Sequence, residues 1–416
     1  MRVLQVNNHH YLKGGSERVY LETSRLLREK GREVIEFSVA DAEIVDTPYR
    51  EWFAAPVDFF GGGLLERAIS SARFVYSREA KRKLEALIER HRPDVAHLHI
   101  FYGRLTSAIL PVFKRRGIPV VMTVHEFRML CPVYLFIDAS GEICERCARG
   151  SYYHCALKRC NRGGLAYSAL SALECYVRDF FFPYEKYVDR FIMVSGFIED
   201  KHLKYRPALE GKTARIYNFI DAGICAPSHV RGEYYLYAGR LSREKGVMTL
   251  LKAWKEFPRR RLKIAGDGPL RDEIVKYTAA NNLANVEMCG YLKGRALSET
   301  IKGAGFLIVP SECYETFGLS IIEGFALGKP AIASRIGGIP EVVSDGVNGL
   351  LFESKNVSSL IEAVGKAERI GAEGYGVMSV EARRCVETRF NKDIYYEKLM
   401  DVYGEASGRP GGWRVR

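Results

Sequence analysis

The chain has 416 residues, 47% hydrophobic and 27% charged, with ten cysteines and a formal charge of +12. That length exceeds what one hydrophobic core usually supports, so two domains of roughly 200 residues each are expected. The composition is that of an ordinary globular chain without an apolar run of about 18 residues, which excludes a spanning helix, and the positive charge points to anionic partners: nucleotide phosphates, nucleic acid or an acidic membrane face.

The opening MRVLQVNNHH is too short and too polar for a signal peptide, and a cytoplasmic location, with peripheral contact at the inner membrane face, is the expectation. RVLQV reads as a short apolar strand. GGSERVYLETSRLLREKGREVIEFS follows as a glycine turn, an amphipathic helix, a stop at Gly31 and a second strand. The β-α-β pattern recurs in PDVAHLHI (93 to 100), GIPVVMTVHE (117 to 126) and VDRFIMVS (188 to 195), so the first half is predicted to be a parallel sheet with helices on both faces. The basic runs REAKRK, FKRRG and LKRCNRG read as solvated helix faces. Two aromatic stretches, 51–65 and 176–187, lie near basic residues and suit either a membrane interface or packing between helices.

After a polar, turn-rich hinge at 218–233, YYLYAGRL starts a second alternation: the helix GVMTLLKAWKEF, the strand RLKIAGDG, a helix from Leu270 to Asn281, the strand VEMCGYL, and FLIVPS. The expected architecture is α/β, with two Rossmann-like domains facing a cleft. The boundaries are 1–217, with a cysteine-rich insertion at 131–160, then 218–390, then a closing helix and tail at 391–416 that return towards the first domain.

The helix predicted from Gly318 to Gly328 is apolar on nearly every side, yet carries Glu323 in its middle. An ionised carboxylate is rarely buried without a polar partner. The helix begins at a strand's carboxyl end, where free N–H groups and the positive dipole end suit a diphosphate, with Glu323 further in to accept ribose hydroxyls. A structural carboxylate is the alternative. Arg240 and Lys245 in RLSREKG supply two cations on a strand-end loop, and Gly266 in IAGDGP and the CGYL turn are further strand ends.

Glu315 and Glu323 form an E-x7-E pair, and with AGRLSREKG, AGDGP, EGFALGKPAIAS, GGIPEVV and GVNGLLF the chain resembles a retaining glycosyltransferase of family four, whose fold is GT-B. GGSERV, PDVAHLH, TVHE and YNFID occur in the family's order in the first half. The resemblance implies that Arg240 and Lys245 hold the donor diphosphate as leaving group, that Glu323 binds the ribose, and that Glu315 lies near the donor sugar. It also implies phosphate and sugar contacts around Phe317, Gly318 and Leu319, a base-binding turn at Tyr291 and Leu292, and a first-domain loop at Gly14 and Gly15. His125 would face the donor sugar, and Ser195 and Asn218 would take domain-edge positions.

The implied activity is that of a hexosyltransferase, moving a sugar from a nucleotide-diphosphate sugar to a glycan or lipid-linked acceptor in cell-surface polysaccharide or glycolipid synthesis. Retention would proceed by front-face attack without a metal cofactor. The rival readings are a phosphorylase-like GT-B enzyme and a zinc-stabilised nucleic-acid binder. The stretch 131–160 has approximately the spacing of a structural zinc site formed by Cys144, Cys147, Cys155 and Cys160, with Cys131 or His154 as substitutes. An iron–sulfur cluster suits the same thiolates less well, and unligated thiols or disulfides remain the third reading.

Overall fold

Alternation of short apolar runs with amphipathic segments produces two parallel sheets, whose inner strands are largely buried while the edge strands at one end of each sheet are only half-buried. A computed structural model describes residues 1–57, 63–161, 163–224 and 226–408. The centre of the aromatic stretch at 51–65 and the expected tail beyond residue 408 lie outside the described residues. Among the described residues, those up to 216 and those from 395 onward form one compact unit, and those from 217 to 394 form the other.

In the first unit, β1 (Arg2–Val6), β2 (Glu33–Phe37), β3 (Val95–Leu98), β4 (Val120–Val124), β5 (Arg190–Met193) and β6 (Thr213–Arg215) are ordered β2-β1-β3-β4-β5-β6, all parallel. The hydrophobic pattern does not announce β6, because Thr-Ala-Arg is a short, polar edge strand. The final helix, Lys392–Ala406, is part of this unit from Tyr395 onward. Its anchors are tyrosines: Tyr395 Oη lies 3.0 Å from Thr23 Oγ1, and Tyr403 Oη lies 2.8 Å from His97 Nδ1.

The second unit carries β7 (Tyr234–Ala238), β8 (Arg261–Ala265), β9 (Val286–Gly290), β10 (Ala304–Val309), β11 (Ala331–Ser334) and β12 (Gly349–Phe352). Their order is β12-β11-β10-β7-β8-β9. The chain builds outward from β7 to β9, then crosses back to place β10 on the other side of β7. Connections after β7 and β10 therefore diverge and open a crevice at the carboxyl ends of these two strands, where α/β sheets bind ligands. Beneath it, Leu250, Leu251 and Trp254 of the helix Val247–Trp254 pack with Ile264, Phe306 and Ile308. Each such side chain stabilises the unit by about 1.5–3 kcal/mol through burial. Tyr217 joins this unit, its ring 5.8 Å from Phe317 and 5.4 Å from Phe390.

Candidate functional site

At the carboxyl ends of β7 and β10, two of the residues singled out in the second half meet. Lys245 Nζ donates to Glu315 Oε1 at 2.6 Å, and Ser311 Oγ donates to the same oxygen at 2.6 Å. Burial opposes ionisation of both groups, but each charge holds the other: the Glu315 carboxyl is kept below the ordinary carboxylate range and the Lys245 ammonium above the ordinary lysine range. Arg240 is exposed and makes no ion pair among the described residues. Its backbone is fixed by Tyr237, whose hydroxyl donates to the Arg240 carbonyl at 2.6 Å. The strand-end loop thus carries one cation paired with Glu315 and two exposed ones, Arg240 and Arg243.

Backbone packing makes this arrangement rigid. Gly246 has φ +69°, and a Cβ there would lie 1.8 Å from the Pro310 carbonyl oxygen. Gly337, at φ +61°, supports the Glu315 loop: a Cβ would lie 2.2 Å from the Glu315 carbonyl oxygen, which accepts a hydrogen bond from the Gly338 N–H at 2.7 Å. Gly266 lets the ends of β7 and β8 approach, because a Cβ would meet the Gly239 carbonyl oxygen at 1.9 Å. Packing alone therefore accounts for glycine at 266.

The helix carrying Glu323 spans Leu319–Ala326, shorter than predicted. Ile321, Ile322, Gly324, Phe325 and Ala326 are buried, whereas Leu319, Ser320 and Glu323 are half-buried. Glu323 is therefore not the fully buried carboxylate that the sequence reading describes. It stands about 6 Å along the axis from Leu319, whose N–H belongs to the donors that a first helical turn leaves without intrahelical acceptors. Gly318 precedes the helix at φ +120°, Phe317 is buried, Tyr291 is 66% exposed just beyond β9, and Leu292 is half-buried beside it.

In the first unit, Gly14 and Gly15 are exposed at the start of the helix Gly15–Glu29, which follows the β1 loop. His125 follows β4 and is wired through His99 and Gln5 to β3 and β1. Gln5 Oε1, which only accepts, lies 2.9 Å from His99 Nε2, so that nitrogen carries the proton. His99 Nδ1, 2.9 Å from His125 Nε2, then accepts, and His125 is protonated on Nε2 with the Nδ1 lone pair left as its acceptor. Gln5 Nε2, 3.3 Å from His97 Nδ1, and Thr123 Oγ1, 2.7 Å from His97 Nε2, complete the chain. Burial pushes His97 and His125 down to about 3 and His99 well below its ordinary value, so all three rings are neutral near pH 7.

The sequence reading did not single out Glu126. Burial raises its carboxyl to about 8, with Arg128 opposing and Glu17 reinforcing the shift. A carboxyl titrating near neutrality beside His125 is suited to proton exchange. Ser195 serves a structural purpose, its Oγ capping the helix Gly196–Tyr205 by accepting from the Ile198 N–H at 3.2 Å. Asn218 is buried, with its Oδ1 unpaired among the described residues.

The zinc expectation requires correction. Among the described residues, no group of three or more His, Cys, Asp or Glu side chains is placed to hold a metal ion, and every described cysteine is a free thiol. Cys147 and Cys155 are instead core residues, packed with Tyr152, Ala172 and Cys175. Burial raises Cys131 to about 11 and Cys147 to about 12, which keeps them neutral. Cys155 donates to Cys160 and lowers that sulfur's pKa. Cys144 and His154 are half-buried and complete no ligand set. The zinc-based nucleic-acid reading loses its support with the site.

The family models agree with the geometry. One described as glycosyl transferases group 1 matches residues 227–383, and one described as glycosyltransferase family 4 matches residues 13–223. An uncharacterized glycosyltransferase of Methanocaldococcus jannaschii is 35% identical over 181 residues, 42% of this chain and 48% of that protein. The match thus spans about half of that relative. The α-D-kanosaminyltransferase of Streptomyces kanamyceticus is 26% identical over 299 residues, 69% of each chain. Among solved structures, sucrose-phosphate synthase of Thermosynechococcus elongatus superposes with a TM-score of 0.69 at 18% identity, covering 97% of this chain and 98% of that one. Anabaena HepE in complex with UDP gives 0.65 at 16% identity, covering 96% and 98%. These superpositions establish the GT-B fold, and with the two family models they place the chain in glycosyltransferase family 4.

Proposed function

We propose that this protein is a retaining hexosyltransferase that takes a sugar from a nucleoside-diphosphate donor and passes it to a hydroxyl of a glycan or lipid-linked acceptor in polysaccharide or glycolipid synthesis. The observation that carries the reading is the Lys245–Glu315 pair at the carboxyl ends of β7 and β10, with Arg240 on the same loop as Lys245 and the Leu319–Ala326 helix starting shortly after Glu315. HepE has been solved with UDP, with UDP and glucose, and with UDP-glucose, and starch synthase IV with ADP and acarbose; a nucleoside diphosphate is accordingly the ligand proposed here.

In this reading the diphosphate lies at the helix start, with Arg240 and Lys245 neutralising the charge that grows as the anomeric C–O bond breaks. Glu323 accepts the ribose hydroxyls, and Tyr291 and Leu292 border the base. His125, neutral and protonated on Nε2, accepts a sugar hydroxyl's proton through Nδ1 as a hydrogen bond. The leaving diphosphate takes the acceptor's proton, so neither glutamate is the nucleophile and no metal is needed to balance the charge. Free thiols throughout the described chain suit a reducing, cytoplasmic compartment.

Calorimetry with UDP, GDP and ADP in EDTA tests the reading. One diphosphate is expected to bind the wild type, and Glu323→Ala is expected to weaken it at least tenfold, the loss of one charge-assisted hydrogen bond. Failure of all three to bind would overturn the donor site, and an inverted product anomer by NMR would overturn retention.

A further inference from the structure

The helix Leu165–Phe181 is turned inside out. Its buried residues include Ser168, Ser171, Glu174 and Arg178, while every exposed residue is apolar: Leu165, Ala166, Ala169, Leu173, Tyr176, Phe180 and Phe181. The helix's own interior polar groups are partnered, while the Nε of the facing Arg128 has no partner among the described residues. Arg128 donates to Glu174 at 2.7 Å, and Arg178 donates to Asp179 at 2.8 Å and to the Arg128 carbonyl at 2.9 Å. The outward stripe runs about 24 Å along the axis and includes Phe180 at 80% exposure and Phe181 at 59%. Monomeric proteins rarely expose a contiguous apolar patch beyond a few hundred Å² without a use for it.

Neighbouring elements extend the stripe. Tyr153 and Leu157 of the short helix Tyr153–Leu157 are exposed, and the Tyr153 N–H donates to Tyr176 Oη at 3.1 Å. Leu65 and Ile69 are exposed on the helix Leu64–Val75, which packs on the same helix. Cations lie at the end of the face: Phe180, Phe181, Phe182 and Tyr187 make successive ring contacts, exposed Lys186 and Lys114 lie over the Tyr187 ring, and exposed Arg159 follows Leu157, while Glu66 and Arg67 are both exposed on the helix that carries Leu65 and Ile69. No helix among the described residues is long and apolar enough to cross a bilayer. An apolar, aromatic helical face edged by Lys and Arg belongs in the interface plane of an anionic membrane.

We propose that this face docks the protein on the surface of an anionic lipid bilayer, with Leu173, Tyr176 and Phe180 entering the headgroup boundary. A two-fold pair of chains joined through the same face would bring its cations towards one another, whereas acidic headgroups neutralise them. The surface is independent of the donor reading, because none of its residues belongs to the β7/β10 crevice.

The test is cosedimentation of the full chain with vesicles of equimolar phosphatidylglycerol and phosphatidylcholine, compared with pure phosphatidylcholine. Binding to the anionic vesicles is expected, weakened by high salt and reduced at least tenfold by either Leu173→Glu or Phe180→Glu, the loss of one inserted side chain. Both positions are exposed, so the variants should keep the wild-type melting temperature; Val377→Glu, exposed in the second unit, is the control and should bind normally. The proposal is overturned if the wild type does not bind anionic vesicles, if both variants bind as well as wild type, or if light scattering shows a dimer that Leu173→Glu splits.

Discussion

Replacing Lys245 by alanine removes the cation 2.6 Å from Glu315 and leaves that carboxylate with Ser311 as its hydroxyl donor. At an effective dielectric of about 20, two unit charges about 4 Å apart attract by roughly 4 kcal/mol. Desolvation offsets much of this, and the side chains retain 33% and 17% exposure, so the net coupling should be about 2 kcal/mol, in the range of charged hydrogen bonds. The assay is a double-mutant cycle of Lys245→Ala and Glu315→Gln in urea unfolding, with calorimetric titration of the nucleoside diphosphate that binds. Coupling of about 2 kcal/mol is expected in stability. For the ligand the two substitutions should act in opposite directions: Lys245→Ala weakens binding by at least tenfold, while Glu315→Gln strengthens it severalfold, because the ammonium no longer shares its charge with a carboxylate that repels phosphate. Additive stabilities, or a Glu315→Gln variant that binds the diphosphate less tightly than wild type, would refute the reasoning.

Gly337→Ala should cost about 1–3 kcal/mol and weaken nucleotide binding, since its Cβ would press on the Glu315 backbone; Gly376→Ala, in open space within the helix Ala372–Arg389, should instead raise stability by about 0.5–1 kcal/mol, and equal melting shifts would contradict both. Glu126 titrates at about 8 in the fold, above its ordinary value of 4.5, so its protonated form favours folding; that contribution is present in full below about pH 4.5 and is lost as pH rises through about 8. Melting temperatures of Glu126→Gln and wild type should therefore converge near pH 4 and separate in the variant's favour by pH 8.5, and parallel curves would dismiss the shift. Nitrogen NMR of histidine-labelled protein should show His125 neutral and protonated on Nε2 between pH 5 and 8, whereas an imidazolium there would break the Gln5, His99 and His125 chain.

The fold of the second unit is legible because short apolar runs alternate with amphipathic segments, and its candidate site residues sit on loops with their own local signature. A glycine-rich turn carrying Arg240 and Lys245 after an apolar strand needs no knowledge of distant contacts. Full burial of Glu323 does not follow from an apolar count around the helix, because Leu319, Ser320 and Glu323 share one side at i, i+1 and i+4 that stays half-open. The histidine chain was illegible for a different reason. Gln5 and His97 are register partners only because β3 pairs with β1, and His99 meets His125 only because β4 follows β3 in the sheet. Strand order is a long-range property that periodicity does not encode.

The cysteine-rich insertion links these observations. Its spacing correctly brings thiols together, but Cys147 and Cys155 spend that convergence on a small core with Cys175 and Ala172, which lie on the inner side of the Leu165–Phe181 helix. Beside that core, the same helix presents Glu174 and Arg178 inward, where Arg128, just before the insertion, and Tyr152, inside it, answer them: Arg178 also stacks 5.7 Å from the Tyr152 ring. With its polar residues paired to Arg128 and Tyr152 and its cysteine in the small core, the helix leaves only apolar side chains facing out. Arg128→Met should therefore destabilise the first unit by about 3–5 kcal/mol, by leaving the Glu174 carboxylate buried without its cation.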